Sequence, residues 1–344
     1  MVTQQVVAPP ARAGMFLVLT VDDGSEDVVR DLLGDLSDLV KAVSFRNTRD
    51  DLNLVVGIGA DVWGRLFGEL PRPRQLHPFE ALEGPRHVAP ATPGDLLLHL
   101  RARSMDQCFE LARQVAKRLE GHAVVVDETH GFKYFDERDL LGFVDGTASP
   151  RGADGDAVVL IGDEDPAYAG GSYVVVQKYL HDLAAWDAIS VEEQERVIGR
   201  TKLDDIELPD SVKPSNSHVV VNTIVDEEGV EHDIVRDNLP FGEIGAGEYG
   251  TYFIGYAADV GIIELMLRRM FIGEPPGNTD RILDFSTAVT GSLFFVPSLA
   301  FLDDPPDPVD ATPAPTAPVS PAPSAGSGDL GIGSLRRSPG ATPS

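Results

Sequence analysis

Apolar side chains recur along this chain in two rhythms, and the rhythms come twice in the same order. Alternating or continuous apolar runs predict strands at 15–21 (MFLVLTV), 52–59 (LNLVVGIG), 95–103 (DLLLHLRAR) and 122–128 (HAVVVDE). Between them, stripes at helical spacing predict a helix from Ser25 to Ala42 and another around Cys108, where Cys108, Ala112, Val115 and Leu119 share a face. The series restarts at 172 with a strand (SYVVVQKY), a helix from about Val191 to Gly199 and HVVVNTIV (218–225) as a candidate strand. It continues with a strand (GTYFIGYA, 250–257), a helix (GIIELMLRRMF, 261–271) and a last strand (GSLFFVPS, 291–298). Each series approximates β-α-β-β-α-β. That order predicts an α+β fold made of two ferredoxin-like halves, about 14–131 and 172–302, with helices covering one face of antiparallel sheets. Two pseudo-repeats fit this pattern better than one long mixed sheet. The segment between them, 132–171, is then a loop held between packed sheets, where a site is expected.

Composition fixes the ends. A chain of 344 residues with 42% hydrophobic and 24% charged side chains can bury a large core. Residues 1–13 carry no periodic pattern and read as a disordered N-terminus. From Asp303 to Ser344 the chain holds 10 of its 26 prolines among Ala, Ser and Gly, with few large apolar side chains. Such a segment cannot offset its ordering entropy by burial, so 303–328 reads as a semi-rigid linker and 339–344 as a disordered end. A formal net charge of -27 repels phosphate backbones and anionic lipid, which argues against nucleic-acid and membrane partners. The single cysteine, Cys108, cannot form an internal disulfide and reads as a core thiol. No export signal or bilayer-length apolar run is legible, which suggests a cytoplasmic protein.

Candidate chemistry follows from what is left. His77 and His87 fall in Pro-rich loops, His122 and His130 flank a strand, His181 reads as the start of a helix and His232 sits among acids, so surface roles are expected for these. His99 alternates with apolar neighbours and reads as a hydrogen-bonded strand position. No spacing matches a multi-ligand metal site or covalent haem attachment. His218 differs: in KPSNSHVVVNT it emerges where turn residues give way to an apolar run. Downstream, IVRDNLPFG puts Arg236 and Asn238 two apart, on one side of an extended segment. Upstream, LLGFVDGTASP puts Asp145 directly after an apolar run, between Gly142 and Gly146. An arginine, an amide and an isolated carboxylate are the groups needed to handle a small polar oxidant beside a singly ligated cofactor.

These stretches resemble the dye-decolorising peroxidases, haem enzymes built from two ferredoxin-like halves in the dimeric α+β barrel-like superfamily. GFVDGT is similar to that family's G-x-x-D-G motif, and IGRTK, SHVVVNT, IVRDNLPFG and GSLFFVPS follow in the family's order over residues 14 to 302. The short chain without an export signal resembles the B class. The resemblance implies a haem b cofactor with His218 as axial ligand, supported at Nδ1 by an acid for which Asp280 and Asp284 are both candidates. It implies that Asp145 moves the proton of hydrogen peroxide, that Arg236 stabilises the charge of O–O cleavage and that Asn238 positions peroxide or water. Gly142 and Gly146 would let the backbone approach the porphyrin, and Arg200 would face a propionate. An apolar pocket and a nearby arginine pull the Asp145 pKa in opposite directions, which predicts best activity at mildly acidic pH.

Bulky phenolic or dye-like donors would be oxidised through the protein or the propionate edge, with Tyr134 and Trp186 as candidate relays. Family members suggest a homo-oligomer, dimer or hexamer. The tail adds a second resemblance. Residues 329–338 hold Leu330, Ile332 and Leu335 between glycines, followed by Arg336 and Arg337, and are similar to the targeting peptides that load peroxidases into encapsulin shells. The rival readings are another haem enzyme on this fold, chlorite dismutase-like or haem-iron-removing, and a non-catalytic haem-binding or cargo module.

Overall fold

Four strands of each half pair antiparallel in the order expected of a ferredoxin-like unit. In the computed structural model, which describes residues 2–45, 49, 51–146 and 149–308, the first half comprises β1 (Ala13–Val21), α1 (Glu26–Ser44), β2 (Asn53–Gly59), α2 (Ala60–Phe67), β3 (Leu96–Ala102), α3 (Met105–Arg118) and β4 (Ala123–Phe132). The second comprises β5 (Ser172–His181), α4 (Val191–Ile198), α5 (His218–Asn222), the short strand Val235–Arg236, β6 (Leu239–Glu243), β7 (Glu248–Ala257), α6 (Val260–Phe271) and β8 (Ser292–Val296). The strand order is β2-β3-β1-β4 in the first half; in the second, Val235–Arg236 and β6 lie beside β7, then β5, then β8. The tail residues 329–338 lie outside the described residues.

Helices form where the stripes predicted them, because burial of one face is what stabilises a helix of this length. Val29, Leu32, Leu33, Leu36 and Leu39 of α1 are buried, with Glu26 and Asp27 at its N-terminus and Lys41 at its C-terminus, each sign favourable to the helix dipole. Cys108 of α3 is fully buried and its thiol is pushed up to about 12 by desolvation, which removes it from thiolate chemistry. One core lies between these helices and the sheet. A second lies on the opposite sheet face, around Phe16, Val174, Tyr252, Ile254 and Phe294.

The halves do not keep separate sheets. β8 pairs with β2 through Phe294↔Gly59 and Phe295↔Ile58, so one antiparallel sheet runs through both repeats. At the other seam β6 packs beside β4, and Leu239 fills the space left by two glycines: a Cβ on Gly131 would lie 2.6 Å from Leu239 Cβ, and one on Gly14 would lie 2.5 Å from its Cδ1. The sheet thereby curls around the second core toward a barrel.

Two further expectations are corrected. Residues 2–12 are ordered: Gln4, 3% exposed, donates from Nε2 to Val56 O (2.9 Å) and Pro297 O (2.8 Å) and accepts from Val56 N (2.7 Å). This strap stitches the β2–β8 seam, and an aperiodic sequence concealed it because its partners are backbone groups far along the chain. HVVVNTIV is a helical turn rather than a strand over 218–222. Its β-branched run favours a strand, but Val221 N bonds Ser217 O, Asn222 Nδ2 bonds His218 O and Thr223 Oγ1 bonds Val219 O, closing the turn locally.

Candidate functional site

The first residue of α5 sets one wall of the site. His218 Nδ1 lies 2.7 Å from Asp280 Oδ2, and Asp280 is fully buried. An ionised carboxylate can only accept, so the imidazole proton sits on Nδ1 and Nε2 is left with its lone pair. Asp280 is fixed in turn, because its Oδ1 accepts from Ile282 N (2.9 Å) and caps the 3₁₀ turn Arg281–Asp284. Asn222 Nδ2 adds a contact to the same carboxylate at 3.4 Å. Asp284, the other candidate, pairs with Arg86 (3.0 Å) and His87 (3.3 Å) instead.

The apolar run before Asp145 anchors its loop. Leu141 and Phe143 are buried against Trp186, Val197 and Ile198, and Trp186 Nε1 donates to Leu141 O at 2.9 Å. Trp186 is 1% exposed, packed within this cluster. From this footing Asp145 accepts from Asn238 Nδ2 (3.1 Å), while Asn238 Oδ1 accepts from Ile254 N of β7 (3.0 Å). The β7 bond fixes which way the amide points and so which atom meets the carboxylate. Arg236 is held by its backbone, whose N–H donates to Ser149 Oγ at 3.1 Å. Its guanidinium has no carboxylate within ion-pair distance among the described residues.

His218, Asp145, Arg236, Asn238, Gly146 and Arg200 all line one cavity of about 230 Å³, with Phe253, Met266 and Leu267 among its apolar walls. Gly146 (φ +79°) borders open space, since a Cβ there would meet nothing within 4 Å. Gly142 stands apart from these. It is not among the residues lining the cavity, and its φ of +90° is what favours glycine, the nearest neighbour of a Cβ being the movable end of the Lys202 chain at 2.6 Å. Arg200 reaches the cavity with its charge already shared by Asp205 (2.8 Å) and Glu207 (3.8 Å).

Two cavity residues escaped the sequence reading. Asp139 lines the cavity beside Asp145; burial and then repulsion from Asp145 push its carboxyl up to about 7, although it accepts from Phe143 N at 2.9 Å. His181 ends β5 rather than starting a helix, with Nδ1 2.8 Å from Ser286 Oγ and Nε2 3.0 Å from Thr251 Oγ1. Desolvation lowers it to about 4, so it is neutral at pH 7. Nothing in the sequence distinguished Asp139 from the other acids, and the strand hid His181 because its partners are two hydroxyls 70 and 105 positions away.

A depressed histidine favours the neutral form in the fold, so its contribution is complete above pH 6.5 and is lost as pH falls toward 4. The stability advantage of the wild type over His181→Gln is therefore expected to shrink by about 2 kcal/mol between pH 7 and 4.5. Denaturant melts at the two pH values measure this; an unchanged gap would mean that His181 is not held neutral.

Chemically, the arrangement offers a pre-oriented imidazole and, lining the same cavity, a carboxylate, an amide and a guanidinium that no carboxylate among the described residues pairs with. The comparisons point the same way. Family models described as Dyp-type peroxidase, N-terminal, and Dyp-type peroxidase, C-terminal, match residues 3–133 and 136–301. A dye-decolorizing peroxidase of Mycolicibacterium paratuberculosis is 60% identical over 333 residues, 97% of this chain and 92% of that protein. The encapsulated DyP-type peroxidase from Mycobacterium smegmatis superposes with a TM-score of 0.87 at 61% identity, covering 89% of this chain and 98% of that one. A DypB variant from Rhodococcus jostii RHA1 in complex with heme gives a TM-score of 0.85 at 58% identity, covering 88% and 98%.

Proposed function

Because this chain belongs to the Dyp-type peroxidase family, in its B class, and is a haem-dependent oxidoreductase acting on hydrogen peroxide, we propose that His218 would hold the haem iron and that Asp145, Arg236 and Asn238 would act on peroxide. The observation that carries this assignment is the His218–Asp280 pair, whose Nε2 is unclaimed beside a cavity that Asp145 and Arg236 share. The residues fit haem: a buried anion orients the imidazole, apolar side chains wall the space and the open side of Gly146 leaves room for a flat ring.

Haem, when bound, supplies an iron at which peroxide is split and its oxidising power kept for a donor. Asp280 keeps the proton on Nδ1 and strengthens the imidazole as a donor. Asp145 takes a proton from one oxygen of hydrogen peroxide and gives it to the departing one. Asn238 holds that carboxylate in place through its bond to β7. Arg236, without a carboxylate of its own, meets the negative charge that grows on the leaving oxygen. Asp139 stands beside Asp145 as a second carboxyl that titrates near neutrality.

The donors are bulky phenols or dyes, whose size keeps them out of a cavity shaped for peroxide and leaves electron transfer through the protein or the propionate edge. The acidic tail carries the enzyme into an encapsulin shell through Leu330, Ile332, Leu335, Arg336 and Arg337. An apolar island in a Pro/Ala tether and the likeness to an encapsulated relative support that reading. Purified protein is expected to show a Soret band that shifts within seconds of one equivalent of hydrogen peroxide and to oxidise a dye in steady state. Protein without a Soret band after haem reconstitution would overturn the proposal.

A further inference from the structure

The triplet that carries Arg236 and Asn238 has a middle member with different partners. Asp237 Oδ2 accepts from Arg101 Nη1 at 2.6 Å, and Arg101, from β3 of the other half, is 2% exposed. The same guanidinium donates to the carbonyls of Val6 (3.5 Å) and Gln5 in the N-terminal strap. His99 Nε2 lies 3.8 Å from the same Asp237 oxygen, and its Nδ1 is 2.8 Å from the Tyr256 hydroxyl. One buried cation thus joins the strap, β3 and the segment that presents the peroxide-handling side chains.

A buried arginine is a costly way to stabilise a fold, since well-packed apolar residues often do as well; what it supplies is a defined geometry. Space near the segment makes geometry matter. A second cavity of about 80 Å³ is lined by Val6, Val7 and Arg101 as well as by Asp145, Arg236 and Asn238. Backbone pairing to β7 holds one edge of the segment, with Asp237 N donating to Ile254 O at 3.2 Å, and the Arg101–Asp237 bond ties its other side to β3 and the strap.

We propose that Arg101, acting through Asp237, is a positioning residue for Arg236 and Asn238, and that the strap at 4–6 is part of the same clamp. The inference rests on the peroxidase reading of the site. It is tested in the haem-loaded full chain by stopped-flow rates of the Soret change against hydrogen peroxide concentration, beside the steady-state KM for a dye. Since misplacement by about 1 Å can cost on the order of 10²-fold, Asp237→Asn is expected to slow the peroxide reaction by about 10-fold to 10²-fold, with haem content and dye KM unchanged. Arg101→Lys keeps the charge but loses the fork, and is expected to fall less. Combining the two is expected to be no worse than Asp237→Asn alone, because both break one network.

Gln4→Ala, remote from the cavity, is expected to lower the peroxide rate several-fold in the same selective way, and it carries the test with Arg101→Lys if Asp237→Asn does not fold. Variants that react with peroxide at the wild-type rate, or that lose haem and dye turnover in equal measure, overturn the inference while leaving the peroxidase reading intact. A wild-type protein whose Soret band ignores peroxide overturns both.

Discussion

His218→Ala is expected to purify as a folded protein without a Soret band and without detectable peroxide-dependent dye oxidation. The side chain begins a five-residue helix whose hydrogen bonds are backbone to backbone or come from Asn222 and Thr223, so the turn survives the truncation while the ligand atom is lost. Asp280 would be left fully buried with weaker compensation, from Ile282 N and Asn222, so some loss of stability accompanies the loss of haem. Asp280→Asn separates the two effects. It keeps the shape but not the charge, and removing such a supporting partner is expected to cost about 10-fold to 100-fold in haem affinity or activity. Haem titration followed by absorption measures both, and a His218→Ala protein that retains a normal Soret band would remove the axial assignment.

The second large effect is expected at Arg236. Arg236→Leu removes a guanidinium that has no carboxylate within ion-pair distance among the described residues, and loss of such a preorganised donor costs about 10²-fold to 10³-fold in the peroxide step. Asp145→Asn is expected to fall less, although a positioned general base contributes a comparable 10²-fold to 10⁴-fold. The reason is Asp139, a second carboxyl lining the same cavity, which burial keeps raised even without the Asp145 charge and which would take part of the proton traffic. Arg200, the other arginine among the described cavity residues, is already shared by Asp205 and Glu207 and does not stand in for Arg236 in this way. Peroxide rates normalised to haem content measure the order, and a slower Asp145→Asn than Arg236→Leu would show that proton transfer dominates over charge stabilisation.

The parts of this molecule that the sequence made legible are those whose physics is local or periodic. Strands β1, β3, β5, β7 and β8 follow from apolar runs because a core lies on each face of the sheet, and helices α1, α3 and α6 follow from apolar spacing because one face of each is buried. Asp145, Arg236, Asn238 and His218 stood out by their motifs, and the structure brings all four to one cavity. What escaped depends on distant partners. The strap was invisible because Gln4 bonds backbone groups 52 and 293 positions away. The 218–222 turn was misread because β-branched residues carry a strand preference that three short-range hydrogen bonds override. Asp139 needed the three-dimensional proximity of Asp145 to become unusual. The choice between Asp280 and Asp284 needed the hydrogen bond itself.

Among the described residues, those lining the main cavity all come from position 139 onward, yet the N-terminal half packs against the segment that carries Arg236 and Asn238. Gly14 and Gly131 form the socket for Leu239, the residue directly after Asn238. The two repeats are therefore not exchangeable modules. A chimera joining halves of two relatives would have to inherit that glycine pair together with the leucine that fills it. Drift at either glycine, in a half whose described residues stay outside the main cavity, would displace Leu239 and with it the neighbouring Asn238.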